Sequence, residues 1–151
     1  GLRYFDKRAV QVGGGDPHRF RLDDAVLIKD NHLAIVKNVR EAVELARKAV
    51  SFTKKIEVEA KSTEEALEAA EAGADIVMFD NMTPTQVREI MKLLKQKGLR
   101  NRVLIEISGG INESNILEYA KTGPDVISLG ALTHSVKAVD SSLEITFIDQ
   151  A

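Results

Sequence analysis

Asp75-Ile76-Val77-Met78-Phe79-Asp80-Asn81-Met82-Thr83-Pro84 holds an apolar run, an acid at its end and the start of a helix. The run from Asp75 to Phe79 is mostly apolar without alternation, as expected of a strand covered on both faces. Thr83 before Pro84 supplies an N-cap with proline at the first helical position. Val87, Ile90, Met91 and Leu94 then recur at helical spacing, and Gly98 ends the stripe. Strand, polar tip and helix together form the repeating unit of a parallel sheet.

The unit recurs on both sides. Val26-Leu27-Ile28 ends in Lys29, and Ile56-Glu57-Val58 ends in Glu59. Val103 to Ile107 ends in Ser108-Gly109-Gly110, and Val126 to Leu129 ends in Gly130. Asn38 caps a helix whose apolar face is Val39, Ala42, Val43, Ala46, Ala49 and Val50. Ser62 with Glu65 forms a capping box for a helix that stops at Gly73. Glu113 to Lys121 is a short helix closed by Gly123-Pro124. Val10-Gln11-Val12, closed by Gly13-Gly14-Gly15, and Leu143 to Ile148 read as further strands. Asp16 to Asp24 reads as an exposed loop, and Lys29-Asp30-Asn31-His32 as another.

Six or seven strands alternating with helices at a period of roughly 20 to 30 residues predict an α/β chain with a parallel sheet. A complete eight-stranded barrel takes about 250 residues. The pattern fits most of a (β/α) TIM-like barrel or an open doubly wound sheet, and the partial barrel is preferred. Residues 1–151 are read as one incomplete barrel domain. Gly1-Leu2-Arg3 offers no initiator methionine, so the chain reads as a piece of a larger protein.

At 44% hydrophobic and 29% charged residues, the composition is that of a globular domain. The net charge of -2 gives no general pull toward nucleic acid or membrane. No apolar run reaches bilayer length, and no secretory signal is present. With no cysteine, disulfides and thiolate metal sites are excluded, and a reducing compartment is allowed. Neither a Gly-x-Gly-x-x-Gly fingerprint nor a P-loop occurs.

In a β/α barrel the loops after the strands converge on one face, where the chemistry lies. That face would gather Lys29, Glu59, Asp80 and the glycine turns. Gly13-Gly14-Gly15 with His18 and Arg19 offers cationic donors beside a permissive backbone. Glu57 and Glu59, two apart on one strand, point to one side, the barrel interior. Carboxylates there need partners, and Lys29 or Lys61 can supply them. His32, with no second ligand at metal spacing, suits a hydrogen-bonded structural role. Thr83 already caps its helix, which frees Asp80 for a site. Ser108, Gly109, Gly110 and Gly130 suit an anion nest. A phosphorylated sugar or nucleotide follows as the substrate class, with Mg²⁺ suited to the acids.

Gly13-Gly14-Gly15-x-x-His18-Arg19, Leu27-Ile28-Lys29-Asp30-Asn31-His32 and Ile56-Glu57-Val58-Glu59 resemble the quinolinate phosphoribosyltransferase family. So do Met78-Phe79-Asp80-Asn81-Met82, Ser108-Gly109-Gly110-Ile111 and Ser128 to Ser135. The resemblance implies an incomplete α/β barrel preceded by an N-terminal domain. It implies transfer of phosphoribose from phosphoribosyl pyrophosphate to quinolinate, with loss of CO₂ and pyrophosphate, in NAD biosynthesis. It further implies Mg²⁺, a homodimer and a cytoplasmic location, with no nucleic-acid or membrane partner. His18, Arg19 and Lys29 would line the quinolinate pocket. Glu59 and Asp80 would hold the ribose hydroxyls and, through water, the metal-bound pyrophosphate. Ser108, Gly109, Gly110 and Gly130 would take the 5′-phosphate, with His134 in support. Pro17 and Ser141 stand where the family commonly has asparagine and a large aliphatic residue. The family's upstream Arg-Lys segment lies outside this sequence, so the isolated chain is expected to be inactive. A paralogous barrel with another substrate, a non-catalytic sensor of phosphorylated ligands and a phosphate-binding barrel isomerase are the rival readings.

Overall fold

A strand can be followed by a parallel neighbour only if the chain crosses back over the sheet, and amphipathic helices provide that return. A computed structural model describes residues 1–146. The order is α1 (Arg3–Val12), β1 (Val26–Ile28), α2 (Asp30–Val36), α3 (Val39–Ala49), β2 (Ile56–Ala60), α4 (Thr63–Glu71) and β3 (Ile76–Asp80). Then follow α5 (Pro84–Gln96), β4 (Leu104–Ser108), α6 (Ile116–Ala120), β5 (Val126–Ile127) and α7 (Ala131–His134).

The five strands are parallel and lie in the order β1-β2-β3-β4-β5. That order separates the two candidate folds. A doubly wound sheet reverses its strand order at a switch point and carries helices on both faces. Here every strand neighbours its successor, and α3, α4 and α5 pack on one face. Their Val43, Ala66, Ala69, Val87, Ile90 and Leu94 share one buried cluster with Ile56, Val58, Val77, Phe79, Ile105 and Ile107. The sheet is therefore wound in one sense, as the arc of a partial α/β barrel.

Side chains alternate across a strand, so the remaining residues form the opposite, inner face. The register aligns Glu57, Ile76 and Leu104 in one row across β2, β3 and β4, and Glu59, Met78 and Glu106 in the next. Asp80 pairs with Ser108 at the carboxyl edge. Acids and hydroxyls thus collect on the inner face, while the helix side is aliphatic.

The N-caps act as read, but Ser62 and Glu65 do not close the expected capping box, because Glu65 Oε2 accepts from the Lys61 amide at 2.7 Å. Asn38 Oδ1 accepts from the Glu41 amide at 2.9 Å, and Ser62 Oγ accepts from the Glu65 amide at 3.1 Å. Thr83 and Gln86 form a capping box on α5. Three further readings change. Val10-Gln11-Val12 is the last turn of α1, not a strand, because three residues are too few to reveal a period and the charged segment before them is helical. Lys29-Asp30-Asn31-His32 is the start of α2, not a loop. The His32 ring caps that start, its Nδ1 accepting from the Lys29 amide at 2.9 Å. Residues 143–146 form no strand, and Phe147 and Ile148 lie outside the described residues.

Two identical clips hold the amino ends of the strands. Asp75 Oδ2 accepts from the Ile56 amide at 2.8 Å and pairs with Arg47 at 3.0 Å, while Arg47 also reaches the Gly73 carbonyl. Asp125 Oδ2 accepts from the Ile105 amide at 2.7 Å, and Asp125 Oδ1 pairs with Arg100 at 3.0 Å. Arg100 likewise reaches the Gly123 carbonyl. Burial pushes the Asp125 carboxyl up, but Arg100 and the Ile105 amide outweigh it and hold it below the usual carboxylate range. A depressed folded-state value stabilises above the unfolded pKa of about 4 and is lost as the pH falls through the folded one. Asp125→Ala leaves a buried amide unpaired. It is expected to lose about 1–3 kcal/mol in urea denaturation, with a weaker acid dependence than the parent.

Candidate active site

The carboxyl ends of the strands deliver Lys29, Glu59, Asp80, Ser108 and Gly130 to one edge of the sheet. Ile28 pairs with Val58, so the next residues along, Lys29 and Glu59, are level. Lys29 Nζ lies 2.5 Å from Glu59 Oε2. Glu59 is buried and Lys29 is half exposed, so the pair sits where water gives way to protein. A buried carboxylate costs several kcal/mol without such a partner.

Lys61, the other expected partner for the interior acids, instead pairs with Asp30 at 2.6 Å. The Lys61 ammonium holds the Asp30 carboxyl below its usual range, and Asp30 raises Lys61 in turn. Two Lys–acid pairs therefore interleave across the mouth of β1 and β2. Arg19 Nη1 donates to the Ala25 carbonyl at 3.3 Å. Arg19, Lys29, His32 and Lys54 line a cleft of about 650 Å³, with Leu22 and Leu27 among its apolar walls. The cleft joins cations to an apolar surface, which suits a flat anion.

At the tip of β3, Asp80 Oδ1 accepts from Asn81 Nδ2 at 2.9 Å, and the Asn81 amide donates to the Ser108 carbonyl at 2.9 Å. Asn81 has a φ of 54°, a left-handed conformation that asparagine tolerates. Its side chain fills the space beside Gly109, where a Cβ would stand 2.6 Å from Asn81 Cγ and 2.9 Å from its amide nitrogen. Gly109 itself has a φ of 94° and Gly110 a φ of 64°. The glycines at this turn thus admit a neighbouring side chain as well as freeing amides. The His134 ring covers Gly130 in the same way, Cδ2 lying 2.8 Å from where a Cβ would be. His134 Nδ1 lies 2.7 Å from Ser135 Oγ.

His18 does not join Lys29. Its Nε2 faces two buried carboxylates, Glu57 Oε2 at 3.4 Å and Glu106 Oε2 at 3.5 Å. Glu106 first, then Glu57, push the His18 pKa up to about 10 against the opposing effect of burial. Glu106 was not singled out from the sequence. The signal was there: one acid inside Val103 to Ile107, in phase with Ser108. Asn81 and Ser128 were missed as partners because only the fold brings them to Gly109 and Glu106.

Two outcomes follow from this geometry. Gly109→Ala is expected to cost at least about 1 kcal/mol in urea denaturation, since the added Cβ meets Asn81 in a left-handed backbone. A raised His18 pKa stabilises fully below the unfolded value of about 6.5, and that contribution is lost as the pH rises toward the folded value. His18→Asn is therefore expected to flatten the fall in stability with pH on the alkaline side, read by melting temperature.

The family model for Quinolinate phosphoribosyl transferase, C-terminal domain, matches residues 1–144. The chain is 58% identical over 146 residues to the probable nicotinate-nucleotide pyrophosphorylase (carboxylating) of Methanocaldococcus jannaschii, covering 95% of this chain and 51% of that protein. It is 57% identical over 145 residues to the protein so named in Methanothermobacter thermautotrophicus, covering 96% of this chain and 52% of that one. A crystal structure of a NadC deletion mutant superposes with a TM-score of 0.89 at 43% identity, over 99% of this chain and 51% of that chain. The chain spans about half the length of the relatives it matches. On a match that runs through every strand tip described above, the chain belongs to the quinolinate phosphoribosyl transferase C-terminal domain family.

Proposed function

We propose that this domain, in the complete protein, transfers phosphoribose from phosphoribosyl pyrophosphate to quinolinate and releases pyrophosphate and CO₂. The product is nicotinate mononucleotide, a precursor in NAD biosynthesis. The observation that carries the reading is the meeting of a Lys29–Glu59 pair, Asp80 and two glycine turns at one edge of a barrel arc in a chain of this family. A cationic, partly apolar cleft beside that edge suits a planar dicarboxylate.

In this reading Arg19 and Lys29, with His18, bind the two quinolinate carboxylates. Ser108, Gly109, Gly110 and Gly130 bind the 5′-phosphate through backbone amides and a hydroxyl. Glu59 and Asp80 hold the ribose hydroxyls. As the bond from C1 to pyrophosphate breaks, positive charge grows on the ribose, and these carboxylates stabilise it. The pyridine nitrogen, held in line, forms the new bond to C1. The cationic ring then accepts the electrons released when the adjacent carboxylate leaves as CO₂, and a proton replaces it. Lys29 must hold the substrate without neutralising the carboxylate that departs. Its partner Glu59 serves that purpose by sharing its charge.

Mg²⁺ fits the donor set: Asp80 is half-buried with one oxygen taken by Asn81, and hard oxygens suit this ion. Asp80 and Glu59 would hold it through water, where it would offset the charge of the departing pyrophosphate. A homodimer, a cytoplasmic setting and small-molecule substrates alone as ligands belong to the same proposal.

In the full-length protein, Lys29→Ala is expected to lower turnover by at least about a hundredfold in protein that still folds, with a lower melting temperature because Glu59 loses its partner, measured by pyrophosphate release and calorimetric unfolding. Wild-type kinetics in that variant would give Lys29 a structural role. Titration calorimetry with quinolinate against nicotinate tests the substrate, and preference for nicotinate would favour a paralogous activity.

A further inference from the structure

Glu57 and Glu106 lie on the inner face of the sheet, on strands either side of β3, and each is almost wholly buried. Neither belongs to the substrate-binding set above. Glu106 Oε1 accepts from Ser128 Oγ at 2.5 Å, and its Oε2 faces His18. Glu57 Oε2 faces the same imidazole nitrogen, while Glu57 Oε1 is buried with no hydrogen-bond partner among the described residues. Two buried carboxylates around one nitrogen repel each other unless that nitrogen carries the shared positive charge.

The His18 backbone has a φ of 55°, in the left-handed region that is uncommon outside glycine but that histidine tolerates better than most residues. Its amide donates to Asp16 Oδ1 at 2.8 Å, and Lys7 donates to the carbonyls of Pro17 and Arg19. The turn is therefore shaped to send the ring down to the acids and leave Arg19 beside it at the cleft. One contact opposes a charged ring: the Arg19 amide stands 2.8 Å from His18 Nδ1 and can donate only to an unprotonated nitrogen. Two buried carboxylates within 3.5 Å favour the charged ring against that one amide.

We propose that Glu57 and Glu106 are positioning residues for the transfer reaction, gripping the Nε2 edge of His18 and thereby fixing the turn that carries Arg19 at the mouth of the barrel. This rests on the activity proposed above. It adds two residues that touch neither substrate and act through His18.

The test uses full-length protein and the variants Glu57→Gln, Glu106→Gln, both together, His18→Asn alone, and all three together. Nitrogen-15 spectra of the His18 ring near pH 8 are expected to show two N–H protons in the parent, and a neutral ring in the doubly substituted protein, whose pKa returns toward about 6.5. The quinolinate KM is expected to rise about tenfold in that protein while the phosphoribosyl pyrophosphate KM moves less than about twofold. Against His18→Asn alone, adding both glutamine substitutions is expected to raise the quinolinate KM no further. A neutral ring in the parent, a metal-coordinated ring, an unchanged quinolinate KM, or losses that simply multiply would each overturn the proposal. The ring spectra stand apart from catalysis. If the parent turned over no quinolinate, the proposed activity would fall, while a protonated ring that depends on Glu57 and Glu106 would still establish the grip on His18.

Discussion

Lys29 Nζ and Glu59 Oε2, 2.5 Å apart at the mouth of β1 and β2, join the two requirements that shape this chain. An acid placed on the inner face of a sheet must be compensated, and the compensating cation must come from a different strand. The same condition recurs wherever the inner face is charged. Glu57 and Glu106 meet it through His18, which arrives from the segment before the first strand. At the rim, the exposed Asp30 of α2 pairs with Lys61. The inner face is thus a set of charges that agree only when the strands are in their native register.

The opposite end of the sheet obeys a quieter rule. The two Asp–Arg clips, at Asp75 with Arg47 and at Asp125 with Arg100, each tie the start of one strand to the amide that opens the previous one. Both stand two residues after a glycine that turns the chain out of a helix. A cleft lined by Lys55, Asp75, Arg100, Arg102 and Asp125 lies at that end, about 360 Å³ against about 650 Å³ at the mouth, and its acids are already taken up by the clips. The clips there serve strand pairing, and the side chains proposed to carry the chemistry collect at the other end.

Much of this was legible from residues alone because the strands are short, apolar and abruptly punctuated. Val77, Phe79 and their helical partners could be placed in the core from periodicity, and Thr83-Pro84 marked its helix start without ambiguity. The pairing of Lys29 with Glu59 was readable because each follows an apolar run by one residue. Val10-Gln11-Val12 was misread because three residues are too few to tell a strand's alternation from the last turn of a helix. The strand expected from Leu143 found no support in residues 143–146. Glu106 with Ser128, and Asn81 with Gly109, escaped notice because their meeting depends on strand order and on one left-handed residue. Neither leaves a trace in local spacing.

The two-residue alternation of β2 has a consequence for how such a chain can vary in length. Glu57 and Glu59 share one face, and Ile56, Val58 and Ala60 share the other. Losing the single residue between them would put the two acids on opposite faces, one toward the helices, and send an aliphatic side chain inward. Insertions and deletions are therefore tolerable in the connecting turns, whereas within the strand lineages can exchange residues but cannot gain or lose one.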